Sequence, residues 1–245
     1  KTFKDVMESL VGTEVNNNDP DNNLRYVGST PNNYVLFNKE RWRIIGLFND
    51  VEKGNQIKII RDEPYNNSII QWDSNNSNNC NTASLNILLN DPNTGYIKSI
   101  QNNDPISYSY IDLEHEWNIG GIASYSSATA AQLYNAERSE TISSVMNQST
   151  WIGAIGLMYP SDYKYGGAWL LSSNSGSAHW TMTPNTSGTS GVLMVLPNNS
   201  VYSGSASGTT AATPVSVNLS FGFRFLLSPE VLPSIRVNAD TLFLP

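Results

Sequence analysis

The chain has 245 residues, which is enough to bury the core of one elaborated domain, and its formal net charge is −7. Only 14% of the residues are charged, so the acidic balance argues against nucleic acid and against an anionic membrane surface as partners. The single cysteine, Cys80, excludes an internal disulfide framework and a cysteine-rich zinc site.

The first residues show the pattern of a short amphipathic helix. Apolar side chains recur at helical spacing as far as Val11, while Thr2 is suited to cap the helix and Gly12 to end it. Because the sequence starts inside this pattern without an initiator methionine, we expect a processed product whose leader or anchor is missing. Residues 1–12 are therefore predicted to form an amphipathic helix that either packs on the domain or is the stump of an anchoring or assembly helix, and residues 13–245 to form a single domain.

An asparagine- and aspartate-rich loop follows the helix. Asp19 and Asp21 are separated by one residue and followed by Asn23, as at the start of a calcium-binding loop. No glutamate follows at the spacing that an EF-hand requires, so a plain turn stabilised by these side chains is the simpler interpretation. Calcium at these three residues is kept as the alternative, and no other cofactor is predicted.

The remaining predicted elements are grouped into blocks of strands and a block of helices. Strand and turn patterns run from residue 24 to residue 61, and residues 34–37 and 41–47 are expected to form a hairpin. Short strands return after residue 150, in segments such as HWTMTP and GVLMVLP. Strands at both ends with helices in front and middle predict an α+β domain. The expected helices in the middle are at residues 84–89, 96–100 and 130–146.

The segment FGFRFLLSP places an arginine inside an apolar strand pattern. With a period of two, its three phenylalanines share one face of the strand and Arg224 lies on the other. No carboxylate pair, nucleophile or phosphate-binding loop accompanies it, so we expect Arg224 to be a buried structural tie to loop carbonyls. Structural roles are also predicted for Trp42 and Trp169, in the segments RWRIIGLF and AWLLS.

The densest ionisable cluster is the segment DLEHEW, which contains Asp112, Glu114, His115 and Glu116. As a strand it would align its three carboxylates on one face, where they could hold a cation or raise the pKa of one of them. The alternative is a solvated charged loop. The segment NSGSAHW lacks the strand-to-helix turn of a serine hydrolase, and no glycine-rich phosphate loop occurs, so an enzyme is the third functional class considered.

Two stretches are candidates for ligand contact. The segment YPSDYKYGG presents three tyrosines, which either cover the edge of the core or form an aromatic platform. Residues 179–202 contain Asn/Ser/Gly-rich loops of the kind that make adaptable contacts, although the abundant asparagine also suits ordinary polar loops. A core position is the alternative for the tryptophan in this stretch. The predicted ligand-binding residues are His179, Trp180, Asn185, Asn199, Tyr202 and Tyr163.

The order of several motifs carries a resemblance. From residue 19 to residue 227, the segments NNYVLFNKERWRIIGLF, ASLNILLN, WIGAIGLMYPSDYKY, WTMTP and FGFR resemble a family of uncharacterised bacterial cell-surface proteins, some with prepilin-type leaders. A more distant likeness runs to the C-type-lectin-like fold of formylglycine-generating enzymes, in which a GFR strand closes the domain. The resemblance implies a C-type-lectin-like α+β domain with short twisted antiparallel sheets, two or more short helices and long loops.

The sequence departs from these relatives in two ways that bear on function. No cysteine lies beyond Cys80, so the enzymatic activity is not expected, and the calcium-binding triplet WND is absent. We therefore expect a non-enzymatic, extracellular, cell-surface module, an adhesin or receptor-type domain that binds a glycan or protein of a host or neighbouring cell. The alternative is a structural subunit that assembles into a pilus or another surface filament.

Overall fold

The computed structural model describes residues 2–65, 69–172, 177–209 and 211–220. Within these residues the fold is mixed, with seven helices and several antiparallel sheets, which confirms the predicted α+β class. The predicted tie Arg224 lies outside the described residues. The helices are α1 (Phe3–Ser9), α2 (Ser84–Asn90), α3 (Tyr96–Asn103), α4 (Pro105–Tyr110), α5 (Ala130–Glu137), α6 (Pro160–Gly166) and α7 (Trp169–Ser172).

The strands of the described chain form sheets of seven, four and two strands. Those of the first two-thirds are β1 (Val15–Asn16), β2 (Leu24–Tyr26), β3 (Tyr34–Phe37), β4 (Glu40–Asp50), β5 (Gly54–Arg61), β6 (Glu116–Asn118), β7 (Thr150–Ile152) and β8 (Ile155–Leu157). The later strands are β9 (Ala178–Pro184), β10 (Gly191–Val195), β11 (Val201–Ser205), β12 (Ala211–Ala212) and β13 (Val215–Leu219).

The largest sheet has the order β1-β2-β4-β5-β13-β8, with β3 also paired to β4. Strands β3 and β4 form the predicted antiparallel hairpin. Its two turn residues, Asn38 and Lys39, both have positive φ, near 55° and 57°, which matches the twist of a two-residue hairpin. In β4, Gly46 lies so close to β2 that an added Cβ would come within 2.2 Å of the Leu24 carbonyl oxygen. Only glycine allows this approach of the two strands.

The four-stranded sheet has the order β11-β10-β9-β12, with β9 in its interior. Every residue of β9 is buried, because β10 pairs with one of its edges and β12 with the other. A continuous core joins the two larger sheets and includes the side chains of Trp42 and Trp169, which are 0% and 1% exposed.

Helices α1, α2, α3 and α5 lie where the sequence predicted helices, whereas α4 and α7 were not predicted. Helix α1 begins at Phe3, because Thr2 is extended (φ −82°, ψ 164°) and forms a reciprocal capping box with Asp5, in its predicted capping role. The helix buries Val6 and Met7. Helix α5 ends at Glu137, well before the predicted residue 146. No helix in the described ranges is long and apolar enough to cross a bilayer.

Candidate functional site

A cleft of about 320 Å³ opens on one face of the large sheet, between strands β4, β5 and β13 and the C-terminal end of α5. Aromatic rings, donors and acceptors converge on it, as in many small-molecule sites. The aromatic lining residues are Phe48, Tyr134 and Tyr159, and the basic ones are Lys58, His115 and Arg138. Three acidic residues, Asp21, Asp50 and Glu116, also line it, together with the amides of Asn23, Asn49, Gln56, Asn118 and Asn218.

The inner surface of the cleft follows from strand register. Side chains alternate along β5, so Gln56 and Lys58 share one face. Lys58 pairs directly with Asn218 of β13, and Gln56 pairs with Phe48 of β4. Residues opposite each other in neighbouring strands project to the same side. The consecutive strands β4 and β5 and the distant strand β13 therefore supply these four adjacent side chains.

Lys58 belongs to a buried ion network, which we define as Arg25, Lys58, Asp19 and Asp162. Lys58 Nζ lies 2.6 Å from Asp162 Oδ2, and Arg25 Nη1 lies 2.6 Å from Asp162 Oδ1. Arg25 Nε lies 2.7 Å from Asp19 Oδ2. The network positions Lys58 at the base of the cleft with both oxygens of Asp162 occupied.

Burial and charge pairing act in opposite directions on this network. Burial alone would raise the pKa of Asp162, but the charges of Lys58 and Arg25 hold it well below its ordinary value. Burial lowers the pKa of Lys58, and Asp162 offsets part of that effect. Asp162 is therefore ionised throughout the physiological pH range, and the network depends on its carboxylate.

Asn218 is 3% exposed, and its Nδ2 has no hydrogen-bond partner among the described residues. A buried amide donor without a partner costs about 1–3 kcal/mol, so native proteins rarely leave one unsatisfied. Its side chain borders the cleft beside Lys58. The cleft thus contains a donor suited to an acceptor atom of a ligand.

The C-terminal end of α5 provides the opposite side of the cleft. Arg138 Nη1 donates to Glu137 Oε2 at 3.2 Å and to the Tyr134 carbonyl at 3.3 Å. Its guanidinium lies 3.4 Å from the centre of the Tyr134 ring. Glu137 is fully buried and also accepts from the backbone and hydroxyl of Ser161. Burial raises the pKa of Glu137 to about 7, against the opposing charge of Arg138.

The DLEHEW segment contributes to the cleft without forming an aligned carboxylate face. Asp112 lies in the turn before β6 and binds Lys53 Nζ at 2.8 Å. His115 Nδ1 lies 3.2 Å from Asp112 Oδ2, and burial lowers the pKa of His115. The strand arrangement, in which Asp112, Glu114 and Glu116 would share one face, does not form, because β6 begins only at Glu116. Of the cluster, His115 and Glu116 reach the cleft.

The loop placement predicted for His179 and Trp180 is wrong. Both lie in the buried strand β9 and are 0% exposed. Trp180 Nε1 donates to the Ile70 carbonyl, and Tyr163 OH lies 2.8 Å from His179 Nδ1. Tyr163 is also 0% exposed. The alternative of core positions therefore applies to all three, since no surface remains for a ligand to contact.

The other predicted contact residues lie at the edge of the four-stranded sheet. Tyr202, on β11, is 54% exposed. Asn185 donates to Ser203 Oγ at 3.1 Å, and Asn199 occupies a turn with φ 63°. None of the three is among the residues that line the cleft.

Asp19, Asp21 and Asn23, the residues of the calcium alternative, form hydrogen bonds with other side chains. Asp19 accepts from the Arg25 guanidinium and from the Asn23 side chain, and Asp21 accepts from Tyr134 OH at 2.6 Å. A guanidinium thus occupies the position next to Asp19 that a cation would need, so the turn interpretation fits this loop. The searched part of the chain contains no group of three or more His, Cys, Asp or Glu arranged for a metal ion.

The most informative residues of the cleft were not predicted from the sequence. Lys58 lies in QIKIIR and Arg25 in LRYV, so each is a cation inside an apolar strand pattern. The same signal directed attention to Arg224, and it could have identified these two residues. Asn218 gives no such signal, because only its register opposite Lys58 makes it part of the cleft.

Comparison with family models, curated proteins and solved structures finds no match for the chain. Function must therefore be inferred from the chemistry of the cleft. Donors at its base, acidic acceptors and flanking aromatic rings form an arrangement suited to binding a small polar molecule.

Proposed function

We propose that the protein is an extracellular bacterial cell-surface module that binds a glycan, with one or two sugar residues seated in the cleft. The observation that carries the proposal is buried Asn218 in the lining of the cleft, whose Nδ2 has no hydrogen-bond partner among the residues that the structure describes. A hydroxyl, carbonyl or carboxylate oxygen of a ligand would satisfy this donor. The burial cost of Asn218 would then be recovered on binding.

The shape and lining of the cleft favour a sugar over a protein surface. A volume of about 320 Å³ is at the small end of ligand sites and admits a compact polar group rather than a flat interface. The ring of Phe48, which is partly exposed, can pack against the apolar face of a pyranose. Amides and carboxylates around them can hydrogen-bond its hydroxyls.

We also propose the C-type-lectin-like architecture for this domain. Its support is the pairing of early and late strands in one sheet, since β13 pairs with β5. Long connections without regular structure, such as residues 70–83, and short helices on the same chain agree with the proposal.

A glycan array tests the proposed function. The wild-type protein should bind a subset of glycans saturably, and Asn218→Leu should weaken that binding by about tenfold, as expected for loss of a buried hydrogen bond. Asn102→Leu makes the same chemical change at an exposed position of α3 and should bind like the wild type. The proposal is wrong if the folded wild type binds no glycan, or if Asn218→Leu binds equally well.

A further inference from the structure

Among the charges beneath the cleft, that of Arg138 is only partly neutralised by its partner at neutral pH. The ion network has two cations and two carboxylates, so it is balanced by itself. Arg138 adds a third cation, whose partner Glu137 has a pKa raised to about 7 by burial. Glu137 is therefore only partly ionised at pH 7 and neutralises Arg138 incompletely. An anionic group entering the cleft would complete the balance.

Arg138 also has unused hydrogen-bonding capacity. Both of its bonds to the described residues come from Nη1, which leaves Nε and Nη2 without an acceptor among them. Its side chain is 22% exposed and lines the cleft. Together, Nε and Nη2 form the planar fork that binds a carboxylate through two parallel hydrogen bonds.

The acidic lining residues restrict what else the ligand can carry. Asp21, Asp50 and Glu116 would repel a second anionic group, so a polyanion does not fit the cleft. The same carboxylates accept hydrogen bonds from hydroxyl groups. His115 donates through Nδ1 if its ring is neutral, which leaves Nε2 as a further acceptor for a hydroxyl. These features match a molecule with one carboxylate and several hydroxyls.

We infer that the cleft selects a sugar residue bearing a single carboxylate, such as a hexuronic acid, whose carboxylate binds the Arg138 fork and the Asn218 amide. The hydroxyls of the sugar face the acidic lining residues, and its apolar face packs on the ring of Phe48. This inference rests on the proposed glycan-binding function and names the class of sugar.

Isothermal titration with glucuronic acid and with its methyl ester tests the inference, because the two ligands differ only in the charge of one group. The acid should bind at least about tenfold more tightly than the ester, as expected for a charge-assisted bidentate contact. Arg138→Gln should abolish this preference. Arg41→Gln makes the same change at an exposed arginine outside the cleft and should preserve it.

Two further variants keep the test decisive if Arg138→Gln does not fold. Arg138→Lys keeps the charge but loses the fork, so it should reduce the preference, and Asn218→Leu should weaken binding of the acid. Equal binding of acid and ester, or binding of neither, overturns the inference. If the glycan array then shows binding to neutral glycans, glycan binding stands and only the preference for a carboxylate sugar is refuted. If the array shows no bound glycan, both the proposed function and this inference are refuted.

Discussion

Glu137→Gln should remove a pH dependence from the stability of the protein. The pKa of Glu137 rises from 4.5 to about 7 on folding, and each pKa unit corresponds to about 1.4 kcal/mol, so its ionisation in the buried site costs about 3 kcal/mol. Between these pH values the folded protein holds a proton that the unfolded chain has released. Stability from this group is therefore fully present below pH 4.5 and is lost as the pH rises through 7.

Folding shifts the pKa of His179 in the opposite direction, so the pH dependence of wild-type stability alone does not identify the contribution of Glu137. Burial lowers the pKa of His179 to about 4, and stability from this group is present above its unfolded value near 6.5 and lost as the pH falls toward 4. The difference between Glu137→Gln and wild type isolates Glu137. Urea unfolding at half-unit steps from pH 4 to 8.5 should show that difference rising by about 3 kcal/mol in favour of the glutamine variant. A difference that stays constant would refute the assigned pKa.

Three other substitutions test separate parts of the fold. Asp162→Ala leaves Lys58 and Arg25 buried without their shared carboxylate, so it should lower the free energy of unfolding in urea by about 3–5 kcal/mol. A decrease of less than about 1 kcal/mol would contradict the ion network. Gly46→Ala should lower the free energy of unfolding in urea by about 2 kcal/mol or more, because the added Cβ would clash with the Leu24 carbonyl oxygen. An unchanged urea midpoint would show that β2 and β4 do not approach so closely. Thr129→Ala removes the N-cap of α5 and should cost about 1 kcal/mol in thermal melts, with Thr129→Ser expected to restore most of it.

Local patterns were sufficient to predict the class of fold and several of its elements. The β3–β4 hairpin was predicted from alternating apolar residues around a polar turn, and α1 from a capping residue followed by helical spacing. Both depend on residues close together in sequence. Patterns of this kind report what a segment forms, but they do not report which other segment covers it.

The loop placement of His179 and Trp180 failed for that reason. The segment HWTMTP was predicted as a short strand, but the sequence did not indicate that its polar side chains find partners inside the core, His179 with Tyr163 and Thr181 with the Leu193 carbonyl. Tertiary pairing with β10 and β12 determined the burial of this strand.

The cleft could not be located because it depends on register between distant strands. Lys58 and Asn218 become neighbours only when β13 pairs with β5, and a shift of β13 by one residue would turn Asn218 to the face of the sheet opposite Lys58. A charged residue in an apolar strand marks Lys58 as unusual, but its surroundings come from tertiary structure.

The position of β13 has a consequence for biosynthesis. This late strand fills the space between β5 and β8, which come from much earlier parts of the chain. Until Leu219 has been synthesised, the edge of β5 has no native neighbour on that side and can pair with another nascent chain. Non-local pairing of this kind slows folding, so the protein depends on a period of protection from aggregation before its largest sheet is complete.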